Sequence, residues 1–249
     1  MSKSLFFSNL PANIRNEAKD PIAARLLTEY GSIFVARGRF DRPQAIIFPD
    51  ETAVENFQAS LKIGKVEFDD ISIELQKAAA EALDLAVENA KSVGLSITPR
   101  SADSGRRSYS DTVELWRSRV EPALEHWVNL GKLSLETANG IRTMAPFEQV
   151  PVVFELEQRG LWFSKDLLKS IIYSVAPPGA SQHLSMLAFD AAEFNDPQIR
   201  AILAEHFWYQ TVVSDLPHFT YLGMPERELS QNGLKKDSSA DRVFWLPDL

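Results

Sequence analysis

The sequence predicts an α+β protein. Two observations lead there. Stretches with apolar residues at helical spacing recur along the chain, and between them lie short runs rich in Ile, Val, Phe and Thr bounded by Gly, Pro or Asp. A third sets the scale: 249 residues with 45% hydrophobic content, including 15 Phe, 5 Trp and 5 Tyr, can bury a substantial core. No internal repeat, low-complexity tract or flexible linker marks a boundary, so any domain division is soft.

Asp20-Pro21 followed by IAARLLTEYG reads as an N-capped helix with Pro at its first position, ending near Gly31. Ser32 to Ala36 and Ala45 to Phe48 are β-rich runs on either side of a turn-like RGRFDRPQ, and are expected to pair as strands. Asp50-Glu51-Thr52 opens a short helix through Leu61. From about Glu74 to Val93, Ala and Leu recur at helical spacing with acidic residues outside, and Gly94 stands where a C-cap belongs. Leu95 to Thr98 is expected as a strand leading into the polar turn PRSADSGRRS. Helices are expected from about Asp111 to Leu130, from Ser134 to Thr143 and from Lys165 to Ser174. The last stops at the rigid turn Ala176-Pro177-Pro178-Gly179. Asp196-Pro197 starts another helix, through about His206, and Pro217 to Leu222 is strand-like.

A net charge of -8 with scattered basic residues gives no footprint for a phosphate backbone, so nucleic acid is not an expected partner. With no cysteine there is no disulfide, no thiolate chemistry and no sulfur-ligated metal, and a metal would need His and carboxylate ligands. Leu5-Phe6-Phe7 is too short an apolar run for a secretory signal, and no stretch approaches the roughly 20 apolar residues that span a bilayer. The expectation is a cytoplasmic protein without a membrane span, with a periplasmic or extracellular location left open.

Four histidines occur, at 126, 183, 206 and 218. His126 in LEHW and His206 in AEHFW sit beside aromatics inside expected helices and read as core or surface residues. His183 and His218 each follow a turn at the start of a strand-like run, with Asp190 seven residues after the first and Asp215 three before the second. Those positions can converge.

Ser181-Gln182-His183-Leu184-Ser185-Met186-Leu187-Ala188-Phe189-Asp190 is similar to the Ser-x-His-x-x-Gly-x-Ala-x-Asp signature of the zinc D-Ala-D-Ala carboxypeptidases and dipeptidases. Lysostaphin-type endopeptidases and the hedgehog signalling domain belong to the same superfamily. Asp215-Leu216-Pro217-His218-Phe219-Thr220-Tyr221-Leu222-Gly223 resembles the second signature, Glu-x-x-His followed by an aromatic and a Tyr-x-Gly strand. Ser104-Gly105-Arg106-Arg107-Ser108-Tyr109 looks like the family's Ser-Gly-Tyr-Arg-Ser turn. The three matches come in the family's order over roughly residues 95 to 223.

The resemblance implies an antiparallel sheet carrying a zinc site and flanked by helices, formed by residues 91–249; residues 1–90 match no motif and are expected as an N-terminal α/β extension packed on it. It implies zinc held by His183, Asp190 and His218, a three-ligand set that leaves a position for water. Asp215 then stands where the family's catalytic Glu does, moving the water proton to the leaving amine. Arg107 takes the place of a catalytic arginine that binds a substrate carboxylate or a developing oxyanion. Ser181, sharing a strand face with His183, and Tyr109 are expected to help bind substrate. The implied reaction is hydrolysis of small peptides of peptidoglycan type near a free carboxylate. Two departures stand out. Asp215 is one methylene shorter than Glu, and Met186 replaces Gly; in a regularly alternating strand Met186 would face the metal side with Ala188 and Asp190. The runner-up is a non-catalytic zinc domain that acts as a binding module.

Overall fold

The chain begins with two short helices, α1 (Leu5–Asn9) and α2 (Ala12–Glu17), and then α3 (Pro21–Tyr30), which starts as its sequence demands. The Asp20 carboxylate accepts from the amides of Ile22 and Ala23, and Pro21 occupies the first position, where no donor is needed. The computed structural model describes residues 4–239 and 241–249, and shows a mixed α/β protein with helices and small antiparallel sheets.

The expected strand pair after α3 does not form. Gly31–Val35 is a buried 3-10 turn continuing from α3, and residues 45–48 are irregular. The apolar run serves the core rather than a ladder, and Ser32 Oγ donates to the Trp245 carbonyl at 2.8 Å. The next helix, α4 (Glu51–Ala59), opens at Asp50 as expected, with the Asp50 carboxylate accepting from the Ala53 amide. Two strands missed in the sequence follow, β1 (Ile63–Phe68) and β2 (Ile71–Gln76), paired antiparallel around the tight Asp69-Asp70 connection. They take up the segment that was expected to begin the Ala-rich helix, so α5 runs only over Lys77–Ser92.

Leu95 to Thr98 is not a strand. The Thr98 amide and hydroxyl both donate to the Glu193 carboxylate, and Pro99, which lacks an N–H, makes only an isolated bridge to Ala191. Helices α6 (Tyr109–Asn129), α7 (Leu135–Thr143) and α8 (Pro146–Gln158) come next, the last unforeseen in the sequence. Ser108 and Asp111 cap α6 reciprocally. The helix expected over Lys165–Ser174 is replaced by turns and a 3-10 turn at Ile171–Tyr173. Its side chains compete with helical bonding: Asp166 accepts from Ser164 Oγ and from the Leu168 amide, and Ser164 Oγ accepts from the Lys169 amide.

Strand β3 (Ala188–Asp190), helix α9 (Pro197–Glu205) and strands β4 (Trp208–Tyr209) and β5 (His218–Tyr221) follow; the three strands form one antiparallel sheet in the order β3-β5-β4. The C-terminal part adds α10 (Glu226–Leu229) and the hairpin β6 (Leu234–Ser239) with β7 (Arg242–Pro247). Because side chains alternate across a sheet and directly paired residues share a face, Phe189, Phe219, Trp208 and Tyr221 lie on one side. Asp190, His218 and Thr220 lie on the other. The aromatic side is core: Phe189 and Trp208 are fully buried and meet edge to face at 6.2 Å.

By contact density the described residues fall into two compact units, and neither corresponds to residues 1–90. One comprises residues 4–46, 55–107 and 182–249; it contains α5, the three-stranded sheet and both hairpins. The other comprises residues 47–54 and 108–181 and is helical, with α6, α7 and α8. In it Trp116 is fully buried and donates to Gln149 Oε1 at 3.1 Å.

Candidate metal centre

Pairing in the three-stranded sheet sets Asp190, the last residue of β3, directly opposite His218, the first of β5. His183 arrives from a 3-10 turn, Gln182–Ser185, rather than from a strand. All three side chains are buried. Three atoms converge: His183 Nε2 lies 3.1 Å from His218 Nδ1 and 3.2 Å from Asp190 Oδ1, and the third side of the triangle, His218 Nδ1 to Asp190 Oδ1, is 3.3 Å. The two rings are inclined at 72°, so their lone pairs approach from different directions.

The outer nitrogen of each ring identifies the tautomer. His183 Nδ1 lies 2.8 Å from the Gly105 carbonyl, which can only accept, so Nδ1 carries the proton and Nε2 is bare. His218 Nε2 lies 2.9 Å from Gln182 Oε1. Gln182 uses its amide nitrogen to donate to the Tyr30 carbonyl at 2.9 Å, which fixes Oε1 as the atom facing His218. His218 therefore holds its proton on Nε2, and its Nδ1 is bare. Two imidazole lone pairs and a carboxylate oxygen meet with no proton among them, an arrangement that repels itself unless a cation sits between. Metal–ligand distances of about 2.0–2.1 Å in tetrahedral directions place ligand atoms about 3.3–3.4 Å apart, close to the triangle observed. His183, Asp190 and His218 can hold a metal ion.

The electrostatics agree with that donor set. Burial pushes His183 below the ordinary histidine range, and Arg107 adds to the shift, against the attraction of Asp190; the imidazole stays neutral. Burial works against the charged form of Asp190, but positive charge and hydrogen bonds from His183 and His218, which need a proton on the inner nitrogens where no cation is bound, outweigh it and keep its carboxyl well below the usual range. The second oxygen of Asp190 accepts from Arg107 Nη2 at 2.7 Å. Arg107 Nε donates to the Asp103 carbonyl at 3.2 Å and lies 3.4 Å from its carboxylate. Arg106 points elsewhere, donating to Gln58 and Glu74. Of the two neighbouring arginines, Arg107 is the one that reaches the centre.

The loop that carries Arg107 is fastened to the centre by its backbone. The Asp190 amide donates to the Ser104 carbonyl, and the Arg100 amide donates to the Asp190 carbonyl. Gly105 packs so closely on β2 that a Cβ would stand 2.5 Å from Ile73 Cγ2 and 2.9 Å from the Glu74 carbonyl oxygen. Only glycine lets its carbonyl meet His183 there.

Asp215, Ser181 and Tyr109 are expected as base and substrate contacts rather than as ligands, and none of them is in the cluster. Asp215 lies exposed in the turn before β5; its carbonyl accepts from the His218 amide at 3.1 Å, and its carboxylate is not one of the clustered groups. Ser181 and Tyr109 belong to the helical unit, Tyr109 as the first residue of α6. Ser181 does not share a strand face with His183, because the intervening chain is a 3-10 turn. Nor does Met186 alternate with Ala188 and Asp190: it precedes β3 with φ at 58°, a left-handed conformation that favours the glycine of the signature. The sequence reading overlooked Gln182, Thr220 and Gly105, although all three lie within the motifs it quoted. The two-residue period from His218 to Thr220 was the available signal for Thr220.

Comparison with protein-family models, with curated proteins and with solved structures finds no match for the chain. Among the described residues, no helix is long and apolar enough to cross a membrane.

Proposed function

We propose that the chain is a zinc-dependent peptidase of the D-Ala-D-Ala type, hydrolysing small peptides near a free carboxylate terminus. The observation that carries this reading is the triangle of three ligand atoms 3.1–3.3 Å apart on His183, His218 and Asp190. The order of the three quoted sequence motifs supports it independently. Two imidazoles and one carboxylate leave coordination open, the pattern of a catalytic rather than a structural zinc site. Zinc bound there supplies a Lewis acid that polarises an amide carbonyl and acidifies a water.

The chain's own groups do the rest. Asp215, exposed and three residues before a ligand, accepts a proton from the attacking water and returns it to the amine as the C–N bond breaks and the new C–O bond forms. Arg107 spends Nη2 on Asp190 and Nε on Asp103, while Nη1 has no protein partner among the described residues. Its two N–H groups suit a substrate carboxylate. The substrate class, peptides of peptidoglycan type, follows from the motif resemblance.

The test is turnover of peptides ending in D-Ala-D-Ala, as free acids and as amides. Hydrolysis of the free acid, lowered roughly 10²- to 10⁴-fold by Asp215→Asn with zinc retained, is the expected result. An Asp215→Asn protein working at the wild-type rate would refute the assignment of the base. The exposed position of the shorter acid favours a second reading, a metal-holding domain without turnover. Zinc uptake with no hydrolysis of either peptide would select it.

A further inference from the structure

Gln182 occupies a variable place in the quoted signature, between its Ser and its His, yet its side chain makes three polar contacts while only 4% exposed. Its amide nitrogen donates to the Tyr30 carbonyl at 2.9 Å. Its amide oxygen accepts from His218 Nε2 at 2.9 Å and, in a short hydrogen bond, from the hydroxyl of Thr220. That hydroxyl lies 2.6 Å from the hydroxyl of Thr211, which is fully buried. Because Thr220 gives its proton to Gln182, Thr211 must be the donor in the last contact. The chain of bonds Thr211 to Thr220 to Gln182 therefore has one direction, and it delivers an oxygen with both lone pairs in use to the outer edge of His218.

The two histidines differ in how they are held. For His183 the acceptor is a backbone carbonyl, which no side-chain substitution removes. For His218 it is a side chain. Without it, neutral imidazole has no reason to keep its proton on Nε2. A proton on Nδ1 would fill the position that faces His183 Nε2 and Asp190 Oδ1.

We propose that Gln182 is a positioning residue: it fixes the tautomer of His218, buttressed by Thr220 and Thr211, and so determines that Nδ1 faces the metal. This rests on the metal-centre reading in its consequence for affinity. The tautomer itself can be read without a metal.

The experiment has two readouts. Two-bond ¹H–¹⁵N correlation spectra of the imidazoles in metal-free wild-type protein should show a proton on His218 Nε2, whether or not a second proton stands in for the cation among the three ligand atoms; an Nε2 without a proton overturns the proposal. Zinc affinity, measured by chelator competition, should fall about 10- to 100-fold in Gln182→Met, which keeps the length of the side chain but has no strong acceptor. Thr220→Val removes a buttress and leaves the acceptor, and should keep the Nε2–H signature. Gln182→Met with the same His218 tautomer and the same affinity as wild type would overturn the proposal. Wild-type protein that takes up no zinc would instead overturn the metal-centre reading, and the spectra would still decide the role of Gln182.

Discussion

Arg107→Met tests whether the guanidinium balances the charge of the centre. The substitution keeps much of the apolar stem and removes the 2.7 Å contact to Asp190 Oδ2, in a pair whose side chains are only 14% and 11% exposed. A charge-assisted hydrogen bond contributes about 1.5–3 kcal/mol, and breaking a buried pair from one side costs up to about 3–5 kcal/mol because the remaining charge is left without its partner. The second contact, to an Asp103 that is 53% exposed, adds at most about 1 kcal/mol. In metal-free protein Asp190 can still share a proton with His183 or His218 in place of the cation, which places the expected loss at about 2–4 kcal/mol. For a chain of this size that is a fall in Tm of about 4–16 °C. Urea and thermal unfolding in the presence of a chelator measure it. Added zinc should recover part of the loss, since a cation again faces the carboxylate. Metal-free Arg107→Met as stable as wild type would show that Asp190 does not depend on the guanidinium and would refute the reasoning.

Gly105→Ala should destabilise the protein by about 1–3 kcal/mol, because the new Cβ meets the backbone of β2 at 2.9 Å, and should weaken zinc binding by moving the carbonyl that holds His183. Unfolding and chelator competition check both, and unchanged values would contradict the close packing. The folded protein holds His183 below its ordinary value, so the unfolded chain takes up that proton first as pH falls. The stability due to neutral His183 is fully present above about pH 6.5, the unfolded value, and is lost as pH falls through the folded one. Metal-free wild type should lose more stability between pH 7 and 5 than His183→Gln; an equal loss would contradict the assignment.

The parts of the fold that were legible in the sequence are those governed by local chemistry. The Asp20-Pro21 and Asp196-Pro197 starts, the capped α6 and α7, and the Pro-Pro-Gly turn all follow from groups within four residues of one another. The failures share a different cause. Ser32–Ala36 has strand composition but is claimed by the core, Thr98 is claimed by Glu193 from 95 residues away, and Lys165–Ser174 is unwound by Ser164 and Asp166. The site divides in the same way. The three ligand candidates converge as the motifs implied, because their spacing ties each to a strand or turn of one small sheet. The groups behind them, Gln182 with Tyr30 and Gly105 against Ile73, depend on contacts between segments distant in sequence, and no local pattern signals them.

The most direct test of the metal centre is metal content and affinity in purified protein. Wild type should bind about one zinc per chain, and His183→Ala, His218→Ala and Asp190→Ala should each lose it while the wild-type Tm rises with zinc, by mass action on the folded state. Stoichiometric zinc retained in the His183→Ala, His218→Ala double variant, or no zinc uptake by wild type, would contradict the assignment.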